Sequence, residues 1–345
     1  MKKNTATLAL ITLLGLGMAV GAQAQSSVEL TGLADMYIGS VRMAGDARSR
    51  SVVDSGGMTT SWWGLKGSED LGGGLKVGFA FTSFMRMGNG ALGRFEGDTP
   101  FSRDAHVWLG GNFGRLTVGR AIAPNFLPTI LFNPFGDSFA FSPLVLHANV
   151  PLFNGTGWGA TTPADTGWSN QLAYTTPSFG GLQGNLHYQF GNDTGSNKKY
   201  NAGANVLYFN GPLALTAFYE RAQVGNPVAA TFADGSTRTD WMLGGSYDFK
   251  VVKAFLTYGQ AKNNLTDARS KTATAGASIP LGTGKILAAY AQTRDSGLDK
   301  TRRTATVGYE YPLSKRTNLY ANLMNDRITG ASNGTSFGLG ARHQF

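Results

Sequence analysis

Cysteine is absent from the 345 residues. No disulfide can staple this chain, and no thiolate can hold zinc or an iron–sulfur cluster. Charged residues are also scarce, at 15%. The lysines and arginines stand singly, without the basic run or basic helix face of a nucleic-acid binder, so nucleic acid is not an expected partner. The four histidines, His106, His147, His187 and His343, show no metal-ligand spacing. A catalytic nucleophile needs a base within reach, and no motif here supplies one. No enzyme activity, metal or cofactor is expected. The triple glycine at 72–74 precedes no helix, so it reads as a tight turn and not as a phosphate cradle. Beyond residue 24, no apolar run reaches the ~20 residues a membrane helix requires.

What is present points elsewhere. Residues 1–24 read as a signal peptide: Lys2 and Lys3, an apolar stretch Ala6–Val20, then Ala22-Gln23-Ala24 as a cleavage motif. Residues 25–345 are the predicted exported chain. Glycine, at 48 residues, is about double its ordinary usage. The exported chain breaks into alternating segments of about ten residues, the period of strands with one apolar and one polar face. In Asp240–Phe249, for example, Trp241, Leu243, Tyr247 and Phe249 alternate with Asp240, Met242, Ser246 and Asp248. Seven short turns, at 71–74, 112–114, 179–181, 210–212, 248–251, 280–284 and 312–316, carry the Gly, Pro, Asn and Asp that reverse a chain cheaply. Eight longer connections interleave with them, near 39–60, 87–100, 122–168, 192–199, 224–238, 262–271, 295–301 and 328–334. Fifteen connections join sixteen strands. Periodicity alone fits a soluble sandwich as well as a transmembrane barrel. Aromatics at the strand ends, a pairing partner for every strand and the alternating last strand SFGLGARHQF favour the barrel.

One stretch breaks the pattern. Residues 121–168 hold six of the twelve prolines, are rich in Phe and Leu, and show neither a period of two nor a helical stripe. Loops of that length inside a domain are functional or disordered, and disordered segments are poor in aromatics. This one is expected to pack, and the cavity of a barrel offers the place.

The runs SSVELTGLADMYIG (26–39), SWWGLKGSEDLGGGLKVGF (61–79), FSRDAHVWLGGNFGRLTVGR (101–120), SNQLAYTTPSFGGLQGNLHYQFG (169–191), YPLSKRTNLYA (311–321) and the final GARHQF together resemble the general porins of Gram-negative bacteria, β-proteobacterial type. The resemblance implies an all-β fold, a sixteen-stranded antiparallel transmembrane β-barrel whose long third loop, 121–168, folds into the lumen as a constriction. It implies a homotrimer in the cell outer membrane, in contact with lipid and lipopolysaccharide, passing small hydrophilic solutes and ions by diffusion. It places Lys66 and Arg103 on the basic wall of the pore, Arg120 at the base of the loop, and Phe135-Gly136-Asp137 in the loop's motif. It makes Phe345 the assembly signal. Trp62 stands where the family carries an arginine, and Asn133-Pro134 where a second loop acid is expected. The expected pore constriction is therefore Lys66, Arg103, Asp137, Arg120, Trp62 and Phe135, with Phe132 and Phe139 adding aromatic lining. Read without the resemblance, Asp137 can equally be a turn residue, and Lys66 and Arg103 have a lesser alternative reading as solvated lumen charges. Mild anion preference is the expected function. The alternatives are a channel preferring small organic anions and a structural or adhesive surface barrel.

Overall fold

The computed structural model describes residues 27–148, 165–191, 199–226, 235–265, 269–297 and 299–345. The expected signal peptide and residues 149–164 of the long loop lie outside them. In chain order the elements are β1 (Ser27–Val41), β2 (Arg50–Ser55), β3 (Trp62–Gly72), β4 (Leu75–Arg86), β5 (Ala91–Leu92), β6 (Asp104–Gly111) and β7 (Gly114–Ile122), then α1 (Phe126–Leu131) and α2 (Pro143–Ala148). They continue with β8 (Gly167–Thr175), β9 (Leu182–Phe190), β10 (Tyr200–Asn210), β11 (Leu213–Ala222), β12 (Arg238–Asp248), β13 (Lys253–Asn263), β14 (Arg269–Leu281), β15 (Gly284–Asp295), β16 (Lys300–Pro312), β17 (Thr317–Ile328) and β18 (Gly334–Gln344).

All pairings are antiparallel, and β1 pairs with β18 through Leu33–Ser40, which closes the sheet into a ring. Closure removes the open edges that a bilayer would not tolerate. Sixteen strands form the wall. β5 adds only two residue pairs to β4. β2 continues the first hairpin above β3: Met36–Val41 of β1 pairs with β2 and Ser27–Leu33 with β3. The expected 39–60 loop is thus shorter than the sequence suggests. Arg50–Ser55 alternates weakly, yet the overhanging end of β1 offers it a ladder to join.

The faces are inside out relative to a soluble protein. Outward Leu186, Leu243 and Leu256 are 57%, 57% and 66% exposed, while inward Asn205, Thr216 and Thr304 are buried. An apolar outer surface on this scale belongs in lipid. Phe113, Phe179, Phe249 and Tyr311 lie near the turn end of the wall, and Tyr188, Phe190 and Tyr200 near the loop end, as interfacial girdles do.

The two helices were not legible, because six residues are too few to show a stripe. They exist through local bonds. Asn125 precedes α1, and its carbonyl accepts from Thr129 N at 3.1 Å. The Ser142 hydroxyl before α2 accepts from Val145 N at 3.4 Å.

Candidate functional site

Residues 123–148 leave the rim between β7 and β8 and run along the inner wall. Their docking is built from two kinds of contact. The first is steric. Lumen-facing glycines on alternate strands leave recesses that loop side chains fill. A Cβ on Gly203 would stand 2.7 Å from Pro124 Cγ, on Gly276 2.6 Å from Pro134 Cδ, on Gly308 3.1 Å from Phe135 Cε1, and on Gly338 2.9 Å from Phe141 Cζ. The rings of Phe132, Phe135 and Phe141 are consequently wholly buried.

The second kind is polar. Asn125 Nδ2 donates to both carboxylate oxygens of Glu220 at 3.2 and 3.1 Å, and Arg238 faces the same Glu220 at 3.4 Å. Asn205 Nδ2 donates to Pro124 O at 2.7 Å. At the far end Arg302 donates to Leu146 O at 3.0 Å while its Nε and Nη2 clasp Asp326 at 2.9 and 3.1 Å. His147 sits between the hydroxyls of Thr293 and Thr304, at 2.8 and 2.7 Å. Burial, reinforced by the Arg302 charge against a smaller pull from Asp326, holds its pKa well below the ordinary histidine value, so the imidazole is neutral.

The base of the segment is fastened by Asp165. It accepts from Arg94 at 2.7 Å and from Arg120 at 3.3 Å. Arg120 also donates to Ser102 O at 2.6 Å and Gly167 O at 3.1 Å. Arg94 meets Asp98 at 2.8 Å; burial works against the Asp98 carboxylate, but Arg94 outweighs it and lowers the pKa.

A short insertion, residues 56–61, separates β2 from β3 and meets the loop from the opposite side. Its turn is organised by the buried Asp35 of β1, whose carboxylate accepts from the backbone N–H of Gly57, Met58 and Thr59 at 3.1, 3.0 and 2.9 Å and from the Tyr320 hydroxyl. The loop's Ser138 hydroxyl then donates to Gly57 O at 2.7 Å. Thr59 is left facing two charges. Arg342 Nη1 donates to its Oγ1 at 3.2 Å, and Asp137 of the loop is the other charged group beside it. Asp137 itself is half-buried; desolvation raises its carboxyl pKa, with Thr59, Arg342 and Arg103 pulling the other way.

Across from the segment, β3 and the β6 approach carry a basic cluster on an indole. The Lys66 ammonium lies 5.1 Å and the Arg103 guanidinium 4.0 Å from the Trp62 ring centroid. Such stacking holds a cation without neutralising it. Arg103 also donates to Asp104 at 2.6 Å. Lys66 has no carboxylate within 4.0 Å among the described residues. A second cluster on the wall joins Arg342 to Glu310 at 2.6 Å and Lys285 to Glu310 at 3.1 Å. Between inner wall and loop lies an open cavity of about 700 Å³, lined by Lys66, Arg103, Arg115, Phe126, Asn185 and His187 among others. Among the described residues no three His, Asp or Glu side chains gather as metal ligands do.

A lipid-facing closed barrel with a polar, charged lumen is the architecture of a channel. The sequence agrees, for the family described as Gram-negative porin matches residues 6–331. The chain belongs to the Gram-negative porin family. Outer membrane porin protein 32 of Delftia acidovorans is 32% identical over 334 residues, covering 94% of this chain and 89% of that protein. A second outer membrane porin protein, from Bordetella pertussis, is 31% identical over 288 residues, covering 75% of this chain and 69% of that protein. The solved anion-selective porin from Comamonas acidovorans is 27% identical with a TM-score of 0.76, covering 93% of this chain and all of that one. The in-vitro folded OmpT of Vibrio cholerae, at 16% identity and a TM-score of 0.63, shares the fold. The protein is an outer-membrane porin, a passive channel.

In this porin the expected constriction residues separate into two groups. Lys66, Arg103, Trp62 and Asp137 face the lumen or its charges. Arg120 is buried at the root of the loop, and Phe135 is 0% exposed, so neither meets a passing solute. Phe132 is likewise buried, and Phe139 nearly so; the rings fasten the loop and do not line the pore. The loop's Asn133 acts internally: its Nδ2 donates to Thr129 O and Gly136 O, and its Oδ1 accepts from Phe135 N and the Ser142 hydroxyl. Lys285, Glu310, Arg342 and Asp35 were not expected from the sequence. The signal for Arg342 was there, because in GARHQF it holds the parity opposite to Ala341, His343 and Phe345.

Proposed function

We propose that this porin passes small hydrophilic solutes with a mild preference for anions. The field is set by Lys66, Arg103 and Arg342 with Asp137 in the space beside residues 123–148. The observation that carries the reading is Lys66. It is a lumen cation held on an aromatic face with no described carboxylate within 4.0 Å, as is Arg115 on Trp108 at 4.2 Å, whereas Arg103 and Arg342 share theirs with Asp104 and Glu310. A unit charge about 4 Å from a passing ion contributes on the order of 1 kcal/mol in water and about 4 at an effective dielectric near 20. Charges on the outer rims act less, since salt screens them beyond about 8 Å. The 27% identical structural neighbour is described as an anion-selective porin, which supports the same sign. The expected homotrimer is supported by the neighbour described as the trimer form of OmpT. Phe345 is proposed as the assembly signal and residues 1–24 as the export signal. The test is the reversal potential of purified channels in a planar bilayer under a salt gradient. Anion preference that grows at low salt is the expected result, and replacing Arg103 with Glu shifts the potential toward cations. Cation-selective wild-type channels refute the proposal.

A further inference from the structure

Residues 123–148 carry almost no charge where they overlook the open cavity. Helix α1 has neither an acidic nor a basic residue, and Asp137 is the only carboxylate in residues 121–148. Leu127 and Ile130 of α1 are half-buried and line the cavity. The wall across from them is of another kind. Lys66, Arg103 and Arg115 line the same space, and each cation rests on an indole. Lys66 and Arg103 share Trp62, and Arg115 lies 4.2 Å from the ring centroid of Trp108. An aliphatic surface and a basic one thus share about 700 Å³. Arg115 directly follows the turn at 112–114, so the space opens toward the short turns, the periplasmic side.

Charge balance decides what such a space suits. Two carboxylates line it as well. Asp104 is taken by Arg103 at 2.6 Å, and Glu29 stands opposite Lys66 on the β1–β3 ladder without coming within 4.0 Å of its ammonium. Three lysine and arginine charges against two carboxylates leave one net positive charge. Lys66 and Arg115 are the two cations that no described carboxylate reaches within 4.0 Å. The β8 and β9 side adds no lysine, arginine or carboxylate. Its polar groups are already engaged: the Thr175 hydroxyl donates to Asn185 Oδ1 at 2.7 Å, and Asn185 Nδ2 to Asn205 Oδ1 at 2.7 Å. A solute with many hydroxyls finds few partners there, and a dianion finds one charge too few.

We propose that this space is a transit subsite for monocarboxylates with an apolar body, the carboxylate on Lys66 and Arg115 and the apolar part against Leu127 and Ile130. The proposal rests on the anion-preferring reading above and adds the class of anion. Cations stacked on indoles keep their N–H donors free to meet a carboxylate, and a guanidinium presents them as a ready fork. Apolar contact supplies the rest. Burying about 60 Å² of an aromatic ring against α1 strengthens binding about tenfold over a polar anion of the same charge. A small hydrophilic anion uses only the basic side.

The test places purified channels in a planar bilayer and reads how the potassium chloride conductance falls as sodium benzoate, sodium lactate or neutral benzamide is added. Only a folded barrel conducts, so every reading comes from folded protein. In wild type the half-maximal reduction is expected at about a tenfold lower concentration of benzoate than of lactate, with benzamide weaker than benzoate. Ile130→Asn should bring the two anions to within about twofold of each other. Arg115→Gln should weaken both alike, by about fivefold, and keep their ratio. Equal half-maximal concentrations of benzoate and lactate in wild type, benzamide acting as strongly as benzoate, an undiminished benzoate preference in Ile130→Asn, or unchanged benzoate binding in Arg115→Gln would each overturn the proposal. The reversal potential in potassium chloride tests the anion preference itself, so failure of that reading is seen separately from failure of this one.

Discussion

Lys66 and Arg103 share one indole but not one electrostatic fate. Replacing Lys66 with Gln removes a charge that no described acid offsets. The anion-to-cation permeability ratio should fall about fivefold, for a change near 1 kcal/mol. Arg103→Gln should act further in the same direction, because it also frees the carboxylate of Asp104 to face the lumen. Reversal potentials of the two variants measure this, and an Arg103→Gln effect smaller than that of Lys66→Gln would show that Asp104 is turned from the pore. Asp137 gives the pH dependence. Its carboxyl pKa is raised by desolvation, so on acidification it protonates before an ordinary aspartate does. Anion preference should therefore rise as pH falls through the mildly acid range, and Asp137→Asn should abolish that rise. At this scale the sequence showed which residues are charged and which face the lumen, because strand parity is strict. It could not show which side of a loop touches the wall. That is why Phe135 was expected to line the pore and is instead buried, while Arg120, expected at the base of the loop, braces it from a buried position.

The loop is an element whose stability comes from the wall beneath it. The recesses at Gly203, Gly276, Gly308 and Gly338 exist because those positions lack a side chain. The high glycine content was legible, but its arrangement on alternate strands was not, since it depends on where the loop lies. Gly276→Val should drive Pro134 off β14 while leaving the ladder intact, and single-channel conductance should rise as the loop lifts. Ala277→Val, one residue away on the lipid face, should leave conductance unchanged. The docking also has a pH limit through His147. Its folded pKa is depressed by burial, so the neutral form favours the docked state. That contribution is complete above about pH 6.5, the unperturbed histidine value, and is lost as pH falls below it toward the depressed pKa. Channel current should grow noisier in that acid window, and His147→Gln should not share the effect.

At the scale of the whole molecule, sixteen strands, their turns and the inside-out faces were all readable, because a barrel repeats one local rule. Closure is the part that no local rule specifies. The ring closes where β1 meets β18, and Phe345 adds the last rung: Gly32 N donates to Phe345 O and Phe345 N to Gly32 O, each at 3.0 Å. The aromatic ring covers Gly32 so closely that a Cβ there would lie 2.5 Å from Phe345 Cζ. Phe345→Asp keeps the backbone able to form the rung but withdraws the ring and puts a charge at the rim. The expected consequence is fewer closed barrels, seen as a several-fold smaller heat-modifiable fraction on electrophoresis of membranes without boiling. Barrels that do close should conduct as wild type, because the side chain faces outward and lies far from Lys66, Arg103 and Asp137. A normal folded fraction in Phe345→Asp would show that β1 and β18 close without the ring. A changed conductance would show instead that the seam reaches the pore, through Arg342 three residues earlier on the same strand.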